Sequence, residues 1–189
     1  MIFRATPIAG LFVLEPERHE DERGFFARTF CRDEWTARGL EPGVAQSSVS
    51  FNRRRGTVRG MHYQVAPDAE AKLVRCTRGA LFDAAVDLRD GSPTRGRWFG
   101  VTLSAEAGNQ LWIPAGLAHG FQTLEDATEV HYQISAPFAP ASARGFRFDD
   151  PEVGIAWPEP VTVVSEKDLG LPRFAECDTP GVAAPEARP

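Results

Sequence analysis

The feature that most constrains this chain is a train of short strand-like runs, each cut off by a turn signal. Lys72-Leu-Val-Arg-Cys-Thr-Arg78 stops at Gly79, and Ala80-Leu-Phe-Asp-Ala-Ala-Val-Asp-Leu88 stops at Arg89-Asp-Gly-Ser-Pro93. Arg97–Leu103 follows, then Gln110–Ile113 ahead of Pro114-Ala-Gly116, Gly120–Leu124 and Thr128–Ile134. Strands of this length at this spacing argue for an all-β sandwich or barrel. One short helix is expected from Asp33 to Arg38, with Asp33 capping its start and Gly39 its end.

Side chains alternate across a strand, so each run assigns its residues to a face. In Thr128–Ile134, Val130, Tyr132 and Ile134 share the apolar side and point into the barrel, whereas His131 points outward. In Lys72–Arg78, Lys72 falls on the same face as Val74 and Cys76. A lysine on an apolar face is costly unless it has a partner or a job.

At 189 residues the chain is long enough for one domain with a real core. Residues 1–177 read as that domain, and the tail 178–189, rich in Pro, Ala and Gly, is expected to be disordered. A net charge of -5 gives no footprint for a nucleic-acid backbone, though a local arginine cluster still suits a small anion. No stretch has the apolar length of a membrane span, and the N-terminus lacks the pattern of a secretory signal. Cys31, Cys76 and Cys177 are odd in number and far apart, which points to a reducing cytoplasm rather than a disulfide framework or zinc site.

Of the histidines, His19 lies in a charged loop and His131 faces outward, so His62 and His119 carry the chemical interest. Pro114, Gly116 and His119 match the second half of the cupin metal motif, but His62 is followed by Tyr63 and Gln64 where a second histidine is needed. Two imidazoles without a nearby carboxylate make a poor zinc or iron site, so a metal-free cavity is expected. Each group also has a plainer reading. His62 and His119 can be satisfied barrel residues, and Tyr132 can be core. Lys72 can pair with Glu70 or Asp83, Asp168 can cap or bridge a loop, and Arg53-Arg-Arg55 can be solvated. All of these together would leave several polar groups buried for no purpose.

The ordered blocks Asp21-Glu-Arg-Gly-Phe-Phe26, Gly56-Thr-Val-Arg-Gly-Met-His-Tyr-Gln64, Lys72-Leu-Val-Arg75, Phe82-Asp83, Asp87–Thr94, Gly96-Arg-Trp98, Ala118-His-Gly-Phe121, Asp149-Asp-Pro151 and Trp157-Pro158 resemble the dTDP-4-dehydrorhamnose 3,5-epimerase family of RmlC-type cupins. The resemblance implies a cupin-type jelly-roll barrel with short flanking helices, a homodimer sharing its N-terminal strands, a dTDP-linked sugar as substrate and no cofactor. It implies that His62 removes a proton beside the C4 ketone, with Asp168 behind it. Lys72 then steadies the enolate oxygen and Tyr132 returns a proton from the opposite face. His119 and Asp83 would support the cavity, Arg23 and Arg59 would hold the diphosphate, and Phe26 and Gln46 would belong to the nucleotide-binding blocks. These types suit the task. Histidine titrates near neutrality, a fixed cation stabilises an enolate, and the arginine fork matches phosphate.

Several positions depart from the family pattern. Arg28 stands where a base-reading glutamate is usual, Ser48-Val-Ser50 replaces an asparagine-containing stretch, and the loop to Gly56 is one residue longer. Phe138 stands for a common second tyrosine and Ala143 for an acid. These changes keep three rivals open: a mono-epimerase or an enzyme for another nucleotide sugar, a non-catalytic sugar-nucleotide-binding cupin, and a metal-dependent cupin oxygenase.

Overall fold

The computed structural model describes residues 1–41 and 43–183. In chain order its strands are β1 (Ile2–Ala5), β2 (Phe12–Glu15), β3 (His19–Asp21), β4 (Gly24–Phe26), β5 (Gln46–Asn52), β6 (Val58–Gln64), β7 (Lys72–Arg78), β8 (Ala80–Asp87), β9 (Trp98–Ser104), β10 (Gln110–Ile113), β11 (Leu117–Thr123), β12 (Thr128–Ile134) and β13 (Ala143–Gly145). Short helices α1 (Arg32–Thr36) and α2 (Glu166–Leu169) and a 3₁₀ turn at Phe174–Glu176 flank them.

One sheet runs β1-β2-β10-β7-β12-β5 and the other β13-β6-β11-β8-β9, with the hairpin β3-β4 standing apart from both. The pairings within the sheets are antiparallel. Sequence neighbours such as β7 and β8 lie in different sheets, so the chain crosses repeatedly between two layers. This is the all-β, cupin-type jelly roll that the alternating runs and the family resemblance led us to expect. Val74 and Cys76 from β7, Leu81 and Ala85 from β8, Leu117 and Phe121 from β11 and Val130 from β12 fill the space between the layers. Each such large side chain taken from water contributes about 1.5–3 kcal/mol.

The helix near residue 35 forms one residue earlier than expected. Its N-cap is Cys31, in an extended conformation, and Asp33 lies in the first turn rather than capping it. A carboxylate in the first turn complements the partial positive charge of the helix start. The element is held down by Trp35, fully buried against Leu14, Leu73 and Trp112 on the outer face of the six-stranded sheet.

Packed chain also continues beyond Cys177, where the sequence placed the domain boundary. The Asp178 carbonyl accepts from the Tyr63 hydroxyl at 2.7 Å, the Pro180 carbonyl accepts from the Ala66 N–H at 2.8 Å, and Ala183 bridges to Asp90. The remainder of the expected tail, 184–189, lies outside the described residues.

The connection after β8 is locked by a buried ion pair. Arg89 Nε and Nη2 donate to Asp87 at 2.9 and 2.8 Å, and Ser92 and Thr94 hydroxyls donate to the same carboxylate. Burial alone would raise the Asp87 carboxyl, but these hydrogen bonds outweigh it and bring it down to about 2.

Candidate active site

A cavity of about 390 Å³ opens between the two sheets. His62 and His119 reach it from β6 and β11 of one sheet, and Lys72, Tyr132 and Ser50 reach it from β7, β12 and β5 of the other. Ser165, Lys167 and Asp168 close one side from the C-terminal segment.

The position of His62 depends on a break in β6. His119 pairs with His62 and Phe121 with Arg59, so the ladder slips by a residue between them. In an unbroken strand, residues 59 and 62 would face opposite sides. The slip lets both line the same cavity. It passes through Gly60, which has φ of +135° and whose missing Cβ would lie 2.5 Å from Gly120 Cα. Only glycine accepts that backbone and that close approach.

Two imidazole–carboxylate pairs result. His62 Nε2 lies 2.7 Å from Asp168 Oδ1, and His119 Nε2 lies 2.6 Å from Asp83 Oδ1. Asp168 sits on α2, which is capped by Ser165 Oγ accepting from the Asp168 N–H, and its Oδ2 accepts from the Gly60 N–H at 3.4 Å. Burial pushes the Asp168 carboxyl up, but His62, Gly60 and Ser165 together outweigh it, and the group stays below its ordinary value. In a neutral ring whose Nε2–H is given to the carboxylate, the lone pair lies on Nδ1. The His62 side chain is 43% exposed, so that nitrogen is open to a ligand. Asp83 is fully buried beneath His119, and its Oδ2 makes no hydrogen bond among the described residues.

Tyr132 is directed inward as its strand alternation required, and its ring lies edge-on to His119 with centroids 6.1 Å apart. Burial, then the Asp83 charge, holds its phenol above the ordinary value, while Arg59 and Ser50 act in the other direction. His131 faces the other side, where its Nε2 contacts Ser47 Oγ at 2.9 Å. Lys72 lines the cavity, and its Nζ pairs with Glu70 Oε1 at 2.7 Å, one of the two partners the sequence offered. Arg59 is aimed by the buried Asn52, whose Oδ1 accepts from its Nε at 2.8 Å.

Three of the residues expected to bind substrate lie elsewhere in this chain. Arg23 and Phe26 project from the β3-β4 hairpin, 89% and 72% exposed, and Arg23 pairs with Asp21. Their hairpin does not join either barrel sheet, so no ladder carries them to the cavity. Gln46 shares the Ser48 and Ser50 face of β5 but lies beyond the cavity wall, where its Oε1 accepts from the Phe138 N–H at 2.7 Å. Arg28 pairs with Glu34 at 3.6 Å, and Phe138 is exposed; neither lines the cavity. Lys167 is the cavity cation that sequence reasoning passed over, although its place beside Asp168 in Ser165-Glu-Lys-Asp168 signalled it. Among the described residues, no three His, Cys, Asp or Glu side chains gather to hold a metal ion.

A cavity with an imidazole on one wall, a phenol on the other and two lysines in its lining is suited to moving protons on a bound ligand. Comparison with known proteins bears on which ligand. A family profile described as dTDP-4-dehydrorhamnose 3,5-epimerase matches residues 5–176. A protein of that name from Sinorhizobium fredii is 47% identical over 178 residues, covering 93% of this chain and 91% of its own. The crystal structure of dTDP-4-dehydrorhamnose 3,5-epimerase from Elizabethkingia anophelis superposes with a TM-score of 0.89 at 35% identity, covering 93% of this chain and 97% of that one. ChmJ, a 3'-monoepimerase from Streptomyces bikiniensis solved with dTDP-quinovose, gives 0.84 at 36% identity over 90% and 86% of the two chains. This chain belongs to the dTDP-4-dehydrorhamnose 3,5-epimerase family.

Proposed function

We propose that the chain is an isomerase that inverts C3, C5 or both in a dTDP-linked 4-keto-6-deoxyhexose, by removing and returning protons through an enolate. The observation that carries this reading is the placement of a carboxylate-backed imidazole and an inward phenol on opposite sheets around one cavity. Inversion needs removal and delivery on opposite faces, and one side chain cannot serve both.

His62 Nδ1 takes the proton from the carbon beside the ketone, and Asp168 stabilises the imidazolium that forms. Such a base contributes about 10²–10⁴-fold. Charge moves onto the ketone oxygen, where the Lys72 ammonium stabilises it. Tyr132 then protonates carbon from the other sheet. His119, fixed by Asp83, shapes the floor, and Arg59 holds the diphosphate. Only protons move, so the chemistry calls on no electron acceptor.

Arg23, Phe26 and Gln46 belong to the nucleotide end. The hairpin reaches outward with Phe25 and Phe26 exposed, and the edge strand β5 exposes Val49 and Phe51. A homodimer that sets one copy's hairpin over the other's β5 would cover these apolar groups, protect a sheet edge and carry Arg23 and Phe26 to the partner's cavity. Free thiols at Cys31, Cys76 and Cys177 support a reducing, cytoplasmic setting. No helix among the described residues is long and apolar enough to cross a membrane.

The test is incubation with dTDP-4-keto-6-deoxyglucose in deuterated water. Label at C3 and C5 of inverted product is the expected result. Label at one carbon gives the mono-epimerase reading. Absence of label with intact nucleotide binding would leave a binding protein only.

A further inference from the structure

Tyr132 faces a problem in returning its proton, because it must pass through a phenolate. Burial and the Asp83 charge both oppose that state. The groups that favour it are Arg59 and Ser50. Arg59 already spends its Nε on Asn52. Ser50 Oγ is buried and makes no hydrogen bond of good geometry among the described residues, yet it lies close enough to the Tyr132 oxygen to pull the phenol down. Buried hydroxyls of this kind are uncommon. Ser50 pairs with Val130, the residue two before Tyr132 on the same face of β12, and both Ser50 and Tyr132 line the cavity. Ser47, on the outer face of the same strand, has its hydroxyl fully engaged with His131 and the Tyr132 carbonyl. The Ser50 hydroxyl, by contrast, lies on the cavity face beside Tyr132.

We propose that Ser50 is a positioning residue for proton return, donating its O–H to the Tyr132 oxygen as the phenol gives up its proton. In that step the Tyr132 O–H bond breaks and a C–H bond forms at the enolate carbon. The electron pair stays on the phenolate oxygen, and the C4 carbonyl reforms. Ser50 keeps its own proton throughout. The phenolate is reprotonated from water once product leaves. A donor held ready for a charge that exists only during reaction costs nothing to reorganise.

The inference rests on the reading of Tyr132 as the returning acid. It is tested with Ser50→Ala and Ser50→Thr, following solvent deuterium entry at carbon and net inversion separately by NMR on dTDP-4-keto-6-deoxyglucose. Ser50→Ala is expected to lower net inversion roughly ten- to hundredfold, as for loss of a hydrogen bond to a charged group. Deuterium exchange driven by His62 and the KM should stay within about twofold. Ser50→Thr, which keeps a hydroxyl, should recover most of the inversion. Equal inversion in wild type and Ser50→Ala overturns the inference and leaves the epimerase reading standing. A parallel fall of exchange and inversion, or an equal loss in Ser50→Thr, reduces Ser50 to packing and overturns it too. A wild-type protein that neither exchanges nor inverts overturns both.

Discussion

Asp168 offers the sharpest test of the proposed base. Its carboxylate is buried, 2.7 Å from His62 Nε2, and its second oxygen accepts from the Gly60 N–H. Asp168→Ala removes a charge-assisted hydrogen bond of about 1.5–3 kcal/mol, so proton abstraction should slow roughly ten- to hundredfold. Asp168→Asn is expected to be worse, although it is closer in shape. The Gly60 N–H is a fixed donor to this side chain. An asparagine oxygen would turn to the Gly60 N–H, leaving its NH₂ facing Nε2. Nε2 must then accept, the ring proton moves to Nδ1, and the nitrogen facing substrate loses its lone pair. The loss should approach the full worth of a general base or a triad carboxylate, about 10³–10⁴-fold. Solvent deuterium exchange at the sugar carbons measures the abstraction step directly, and circular dichroism checks that α2 still docks. If Asp168→Asn exchanges faster than Asp168→Ala, or keeps more than about a tenth of wild-type exchange, the tautomer argument is wrong.

Tyr132→Phe should keep exchange at carbon yet lose net inversion, because the base on the opposite sheet is untouched; near-normal inversion in this variant removes Tyr132 from the mechanism. Asp87 should make the fold acid-sensitive in a defined window. Its folded value of about 2 lies below its ordinary 3.8, so its stabilisation is fully present above pH ~4 and is lost as pH falls through about 2. That difference is worth on the order of 2–3 kcal/mol, and denaturant melts of wild type and Asp87→Asn across that range should converge as pH drops.

Much of the barrel was readable because its strands carry their own punctuation. β7, β10 and β12 have the bounds that Gly79, Pro114 and the alternation of Thr128–Ile134 dictated. Strand parity also sent Tyr132 and Lys72 inward and His131 outward. β5 was passed over, since in Gln46-Ser-Ser-Val-Ser-Phe-Asn52 the cavity face is polar and the two apolar residues, Val49 and Phe51, lie on the exposed face. The meeting of Arg59 and His62 could not be derived from parity, because it depends on a slip in the β6 ladder that spacing alone denies. Asn52, which aims Arg59, and Lys167 act through tertiary contact, and their local sequence looks like loop.

His62, Lys72, Tyr132 and Asp168 line one cavity within one chain, whereas Arg23 and Phe26 stand away from it, and this separation has a measurable consequence. If the hairpin serves a second copy, His62 and Arg23 of one working site come from different chains. A mixed dimer of His62→Ala and Arg23→Ala chains then holds one cavity with both defects and one with neither. Random mixing yields about half mixed dimers, each with one intact cavity, so two nearly inactive preparations should combine to about a quarter of wild-type activity. If Arg23 serves its own chain, each cavity of the mixed dimer carries one defect, and mixing recovers nothing. The result therefore decides whether the exposed hairpin is a surface ornament of one barrel or the nucleotide-binding wall of another.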